Sequence, residues 1–495
     1  MKKIKALIPI LGLSLLTSCS LEDRFIFGGN KNNNSASHDQ QVSKDSSDSS
    51  STSEAPGYDA DLENFDDCKN AIFFALYNYY GFDGQHFTNK WLGRNDALAA
   101  HGYKVTGYEG QKDARKFKIE RQADSDLPED AQIVMVNNQN WDTTIQYAKP
   151  FAKYHPMAVI STCNGVEMAS SNIKSVQFKV SNATMGGFST TYRSAFLDGS
   201  LRYLVAKYSA HILPIVAASI DALDNGGARK NADGTALRLS ISQWAIQTLE
   251  EYDRRSAVDS ISEDHPTVRK INVDKYFDKT NPDYGAEKLS EFVSSSTKEN
   301  VEALYAENGT NADADKASFR SGKKYKCGII APSSVNDQVQ LYIDFIKGYL
   351  SEAYNFEVLP VGSVTSSNTQ KSVATQLCNQ GADFIISVQD DTERNAAAQV
   401  CNEKGVYFAI AGSCQNSLDY AVIKNLPYYV GSIGTSPEEE RRSARERTEY
   451  YLQCRIKRAQ SQDALYEYEK EVKGLNKTKE ESLSFYIPFN KERDI

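Results

Sequence analysis

The sequence predicts an α/β protein of two lobes, each a parallel sheet covered by helices, with a helical insertion between them. Three observations carry this. Short continuous apolar runs recur, as expected of strands covered on both faces. Each run ends in a polar loop that leads into a helical pattern, and strand alternating with helix implies parallel pairing. The layout also occurs twice at matching intervals. Ile72 to Ile133 spans 61 residues and Gly328 to Phe384 spans 56, while Ile133 to Met157 spans 24 and Phe384 to Tyr407 spans 23.

In the first unit, residues 66–205, the apolar run 71–76 is the opening strand and a helical stretch follows to about Ala100. Gly102 is placed to cap that helix before a second strand, "HGYKV". Strands at 133–136, 157–160 and 176–180 follow, with the helix "TTIQYAKPFAKY" between the first two of these. In the second unit, residues 324–455, strands are expected at 328–331, in "NFEVLPVG", in "GADFIISV", in "VYFAIAG" and in "YYVGSIG". The last leads into a helix with Thr435 or Ser436 as N-cap and Pro437 in its first turn. Residues 206–323 read as a helical insertion and linker, with "LSISQWAIQTLEEYDRRSA" as one amphipathic helix, and 456–495 as a charged tail.

Composition bounds the function. Of 495 residues, 40% are hydrophobic and 24% charged, which permits a sizeable core. The net charge of −9 and the absence of a basic stripe exclude a nucleic-acid surface. The run "EEERRSARER" at 438–447 alternates in sign and reads as a solvated helix face. Residues 1–18 have the layout of a signal peptide, with Lys2, Lys3 and Lys5 before an apolar stretch too short to span a bilayer. Leu16-Thr17-Ser18-Cys19 resembles a bacterial lipobox, which implies acylation of Cys19 with fatty chains of the palmitate class. Residues 19–65 then form a lipidated, disordered polar tether, since 28–57 contain almost no aliphatic side chain. Without Cys19, seven cysteines remain, so at least one is a free thiol or pairs with another molecule. The six histidines are scattered, and no spacing suits a metal site or a cofactor.

In a parallel sheet the ligand crevice lies at the carboxyl ends of the strands. Those positions are Tyr77, Asn78, Tyr79, Asn137, Asn138, Asn140, Trp141, Ser161, Thr162 and Asn164 in the first unit. In the second they are Ser333, Ser334, Asn336, Asp337, Gln389, Asp390, Asp391, Ser413 and Gln415, with Asn416 beside them. Amides donate and accept, carboxylates accept, and Trp141 or Tyr79 offers a stacking face, which together suit a sugar or nucleoside. Each residue type also favours turns and helix caps for local reasons. No GxSxG, Walker A, HExxH or GxGxxG motif is present, so the chain is read as a non-enzyme.

With these features in place, the stretches 325–452, 72–87 and 133–162 resemble the Rossmann-like lobes of type I periplasmic binding proteins, the substrate-binding lipoproteins of bacterial ABC importers. The resemblance implies two parallel-sheet lobes that close on a small polar ligand, sugar or nucleoside, and dock on an ABC permease. It also implies anchoring by lipid on the extracytoplasmic face of the cell membrane. Two features depart from the family pattern: over a hundred residues separate the lobes, and the second unit resembles a lobe that normally comes first. Either 66–205 is its partner or the binding unit is incomplete. The alternative function is a surface lipoprotein acting as a sensor or interaction module without transport.

Overall fold

The computed structural model describes residues 71–77, 84–106, 118–129, 131–138, 158–161, 178–181, 190–197, 201–259, 265–335, 337–389 and 393–473. The signal peptide, Cys19 and the tether lie outside these residues. The fold is α/β with two largely parallel sheets. The strands of the first are β1 (Ala71–Tyr77), β4 (Gln132–Asn138), β5 (Ala158–Ser161), β6 (Phe178–Ser181), β7 (Leu201–Ala206) and β9 (Trp244–Ile246). They stand in the order β4-β1-β5-β6-β7-β9, parallel except for β9 against β7. "AIFFALY" is thus an interior strand with a neighbour on each side, which explains why it lacks alternation.

The second sheet contains β8 (Leu237–Ser240), β10 (Tyr325–Pro332), β11 (Phe356–Val358), β12 (Gly362–Val364), β13 (Phe384–Ser387), β14 (Tyr407–Ser413) and β15 (Tyr429–Thr435). Its order is β11-β10-β13-β14-β15-β8, with β12 also on β10, and every pairing is parallel. The two sheets share one plan. The first strand lies second from one edge, the later ones follow in chain order, and a short strand closes the far edge.

Several sequence expectations are corrected. "HGYKV" does not join a parallel sheet. After α1 (Gly84–Ala100), Gly102 takes φ +76, and β2 (Tyr103–Thr106) pairs antiparallel with β3 (Lys118–Arg121) in a separate two-stranded sheet. "NFEVLPVG" is two strands, because Pro360 has no N–H to offer between β11 and β12. The stretch 239–257 is not one helix but the end of β8, all of β9, and most of α4 (Leu249–Val258). Helix α2 (Thr190–Leu197) precedes β7, and α3 (Leu213–Asn225) and α4 (Leu249–Val258) follow it. Thr248 caps α4, accepting from Glu251 N at 3.1 Å, while Glu251 Oε2 accepts from Gln247 N at 3.0 Å.

The remaining insertion helices are α5 (Lys270–Asp274), α6 (Ala286–Ser294), α7 (Lys298–Thr310) and α8 (Ala312–Ala317). A buried charge pair ties two of them to each other and, through Tyr349, to the second lobe. Arg269 and Asp315 are fully enclosed, 3.6 Å apart. Asp315 also accepts from Ile271 N at 3.0 Å and from Tyr349 OH at 2.7 Å. A buried charge pair is tolerated when its remaining lone pairs are used in this way. Tyr349 lies in a π-turn, 346–350, that continues α9 (Asp337–Phe345).

Helices α10 (Gln370–Asn379), α11 (Arg394–Lys404) and α12 (Ser417–Ile423) complete the second lobe. Helix α13 (Pro437–Lys473) leaves β15 but packs on α1 of the first lobe. Gly93 permits that approach, since a Cβ there would lie 2.1 Å from Arg441 O. The run 438–447 is therefore not simply a solvated face. Arg441 grips Asp96 through two bonds of 2.7 and 3.0 Å, buried Glu440 pairs with Lys90 at 3.0 Å, and Arg447 is 1% exposed.

Gly431 sets the edge of the second sheet. Its φ is +145, and a Cβ there would stand 2.2 Å from Leu237 O on β8. Gly431→Ala is expected to lower stability by about 2–4 kcal/mol through strain and strand displacement. Urea denaturation checks this; an unchanged midpoint would refute the close β8–β15 contact.

Candidate functional site

Three chain crossings bring the carboxyl edges of the two sheets together. The first follows β7: Lys207 and Tyr208 lead into a 3₁₀ turn, 209–212, and then α3, which packs on β14 and β15 of the other lobe. The second is the connection 241–243 between β8 and β9. The third is 435–437, between β15 and α13. Ser436 Oγ accepts from Glu439 N at 3.2 Å, so Ser436 is the N-cap of α13.

The crossings are tied to one another. Ile241 N donates to Gly434 O at 3.0 Å, and Ser240 Oγ donates to Ser436 Oγ at 2.9 Å. Gln243 N donates to Glu439 Oε1 at 2.5 Å, and Arg442 donates to Gln243 O at 2.9 Å. Ala206 pairs with Trp244, so the carboxyl end of β7 lies beside the start of β9. Tyr208 stacks on Trp244 with ring centres 5.8 Å apart.

Lys207 spans the two edges directly. It is 5% exposed, and its Nζ donates to Gly412 O, near the carboxyl end of β14, at 2.9 Å. A lysine leaves water only where its ammonium is partnered. The sequence reading missed Lys207, although it is the first residue beyond an apolar strand. His211 lies one 3₁₀ turn further on. Its Nδ1 donates to Tyr208 O at 2.5 Å and its ring meets Tyr342 edge-on at 5.4 Å. Burial, helped by the Lys207 charge, pushes its pKa down to about 3. Asp259 accepts from Ser209 N at 2.5 Å and Ser209 Oγ at 3.1 Å, and burial pushes its carboxyl up to about 6.

The second lobe's rim is laid out by β10, β13 and β14. Ser333 and Ser334 are exposed just beyond β10, with Ser333 N donating to Val364 O at 3.1 Å. Buried Ser387 donates to Gln370 Oε1 at 2.8 Å, and Gln370 Nε2 reaches Gln389 O at 3.5 Å. The Gln389 side-chain oxygen is buried with no hydrogen-bond partner. Ser413, half-buried, accepts from the buried Arg394 at 2.5 Å. Gln370 and Arg394 went unnoticed in the sequence because helix-start residues carry no strand-end signal.

Gln415 is not presented to the cleft. It is 0% exposed; Tyr429 OH donates to its Oε1, and its Nε2 donates to Asn395 Oδ1 at 3.1 Å. Asn416 caps α12, accepting from Leu418 N and Asp419 N at 2.8 Å each. Asp337 is the first residue of α9. Tyr77, Asn137, Asn138 and Ser161 stand at the carboxyl ends of β1, β4 and β5. Asn78, Tyr79, Asn140, Trp141, Thr162, Asn164, Asn336, Asp390 and Asp391 lie outside the described residues. Among the described residues, no group of three or more His, Cys, Asp or Glu side chains is placed to hold a metal ion. The rim offers hydroxyl and amide groups suited to hydrogen bonding.

Solved structures of similar architecture include a periplasmic solute-binding protein of an ABC transporter from Actinobacillus succinogenes with bound D-allose. It is 9% identical over 78% of this chain and 92% of that one, at a TM-score of 0.41. The substrate-binding protein of a sugar ABC transport system from Bordetella parapertussis is 8% identical, over 79% and 83%, at 0.40. A carbohydrate transporter from Acidothermus cellulolyticus in complex with myo-inositol is 7% identical, over 77% and 87%, at 0.39. No protein-family model matches the chain, and no curated protein matches it.

The buried histidine gives an acid-side prediction. Unfolded, His211 takes up a proton near 6.5; folded, only near 3. The unfolded state therefore binds more protons in that window, and this contribution to stability is lost as pH falls from about 6.5 to about 3, on the order of 3–5 kcal/mol in all. Asp259 acts oppositely, because the folded state takes up its proton first, between 3.8 and about 6. The difference in urea midpoint between wild type and His211→Gln isolates the histidine. It should narrow on acidification, and a constant difference across the range would refute a neutral buried ring.

Proposed function

We propose that the protein is a non-catalytic receptor that captures a small polar ligand, a sugar or nucleoside, between its two lobes. The observation that carries this reading is the facing of the two carboxyl edges, joined by three crossings and bridged by Lys207 on Gly412 O. Hydroxyls and amides at those ends can exchange water for the hydroxyls of a ligand. In this reading the ends of β1, β4 and β5, which carry Tyr77, Asn137, Asn138 and Ser161, lie across the gap from Ser333, Ser334, Gln389 and Ser413. The chain is held to the extracytoplasmic face of the membrane by acylated Cys19, and the ligand-loaded form passes its cargo to an ABC permease.

A second reading, a sensor or interaction module without transport, is favoured by the way the insertion grips the second crossing. Ser242 N donates to Ser296 Oγ at 3.1 Å, Ser242 Oγ to Ser294 O at 2.9 Å, and Trp244 Nε1 to Ser296 O at 2.8 Å. Lys298 Nζ donates to Ala245 O at 2.8 Å. Helix α6 lies on β8 of the second sheet. Helix α7 binds α4 through Glu302, which accepts from Arg254 at 2.6 Å and from Arg255 at 2.5 Å. Helix α4 in turn holds α2 of the first lobe through Arg193 and Asp253, with two bonds of 2.7 Å. A strap across both lobes restricts the hinge closure on which a shuttling carrier relies.

Thermal shift of the mature chain against monosaccharides and nucleosides tests the first reading. One ligand class should raise the midpoint by several degrees, since a ligand at a hundred times its Kd contributes about 2.7 kcal/mol. Gln389→Ala is expected to weaken that ligand about tenfold without lowering the stability of the free protein. No rise across the panel would overturn capture of such ligands. Small-angle scattering with the ligand separates the readings: a falling radius of gyration supports closure, and an unchanged one supports the strapped module.

A further inference from the structure

Two cysteines outside the cleft lie together on the face of the second sheet opposite the core shared by the lobes. That face carries Ile330, Ile385 and Phe408, covered by α10 and α11. Cys401, near the end of α11, is fully enclosed in this cluster, and Cys378, one residue before the end of α10, packs against it half-buried. The two helices are fixed at the same end, where Lys404 Nζ donates to Asn379 Oδ1 at 3.1 Å. Both cysteines are free thiols, and each is near enough to act on the other's proton, Cys401 favouring the Cys378 thiolate and Cys378 opposing ionisation of Cys401.

We propose that Cys378 and Cys401 are a disulfide-forming pair that closes when the folded protein meets a disulfide donor. With the helix ends fixed to each other and both side chains at one cluster, closure calls for side-chain rotation and no rearrangement of the sheet. The Cys401 thiol and the nearby Lys404 ammonium favour the Cys378 thiolate, which is also the more exposed of the two. Cys378 loses its proton to solvent and its sulfur attacks one sulfur of the donor, expelling the other as a thiolate. Cys401 then gives up its proton and attacks the Cys378 sulfur, expelling the second donor thiolate. Two protein thiols are oxidised to one disulfide, and one donor disulfide is reduced to two thiols. The bridge would enclose β13, whose carboxyl end carries Ser387 and Gln389, and so staples the segment that supplies part of the second rim. Cys327 and Cys414, each 0% exposed, stand outside this pairing.

The test uses the full chain, folded, exposed to oxidised glutathione, alkylated without reduction and digested with trypsin. Cleavage after Lys371, Arg394 and Lys404 places the two cysteines on separate peptides, 372–394 and 395–404. The expected result is one linked species of these two peptides that reduction separates, absent from Cys378→Ser and Cys401→Ala. The oxidised protein should also melt several degrees above the reduced one, a gap that either variant abolishes. Recovery of both cysteines fully alkylated would overturn the proposal. So would glutathione on Cys378 with Cys401 still free, or a bridge from either to another cysteine.

Discussion

The arrangement depends on the hydrogen bonding of one short segment, 237–246. Its first half pairs with β15 and completes the second sheet; its second half pairs with β7 and completes the first. A sheet edge presents unpaired N–H and C=O groups that favour any available strand. This segment satisfies one edge of each sheet, and the few residues between its halves fix how far apart the sheets can stand. The carboxyl ends of β7 and β8 are therefore close neighbours, because β9 starts beside the end of β7 and only residues 241–243 separate it from β8.

The other features follow from that proximity. Lys207 leaves β7 where the second sheet's carboxyl edge is within reach, and its ammonium finds a backbone carbonyl there instead of water. His211 and Tyr208, just beyond, are enclosed by residues from both lobes, which is why the imidazole is held neutral. The hydrophobic core is continuous through the junction, from Leu204 and Trp244 to Ile329, Ile386 and Ile433. A continuous core makes the relative placement of the lobes a matter of packing as well as connectivity.

The insertion adds a second restraint on the same junction. Tyr349 of the second lobe holds it by donating to buried Asp315 and accepting from Lys270 N, and Glu302 joins it to α4 and through α4 to the first. Between these anchor points, residues 294–298 hydrogen-bond to the backbone and side chains of 242–245. A connection whose polar groups are bonded to a third element turns only by giving up those bonds, so the insertion restricts how the two sheets can move against each other. The lobe that resembles a family's opening lobe stands second in this chain. Helix α13, which leaves the second sheet, packs on α1 beside the first.

The interior strands follow from the residue pattern alone. "AIFFALY", "FIIS" and "YFAIAGS" are apolar throughout because both faces of a parallel strand are covered, and their spacing revealed the repeated lobe plan. Polar residues beyond the strands were legible for the same reason, since a loop at a strand end faces water or a ligand. Gln415 shows the limit of that signal, because a buried, fully bonded amide and a ligand contact have the same letter. The short edge strands form only through long-range pairing. "LRLS" and "WAI" alternate too briefly to distinguish from the helix that follows, although Thr248 and Glu251 mark where that helix starts. A strand of three or four residues has no stability of its own; it exists because β15 and β7 each leave an edge for it to satisfy.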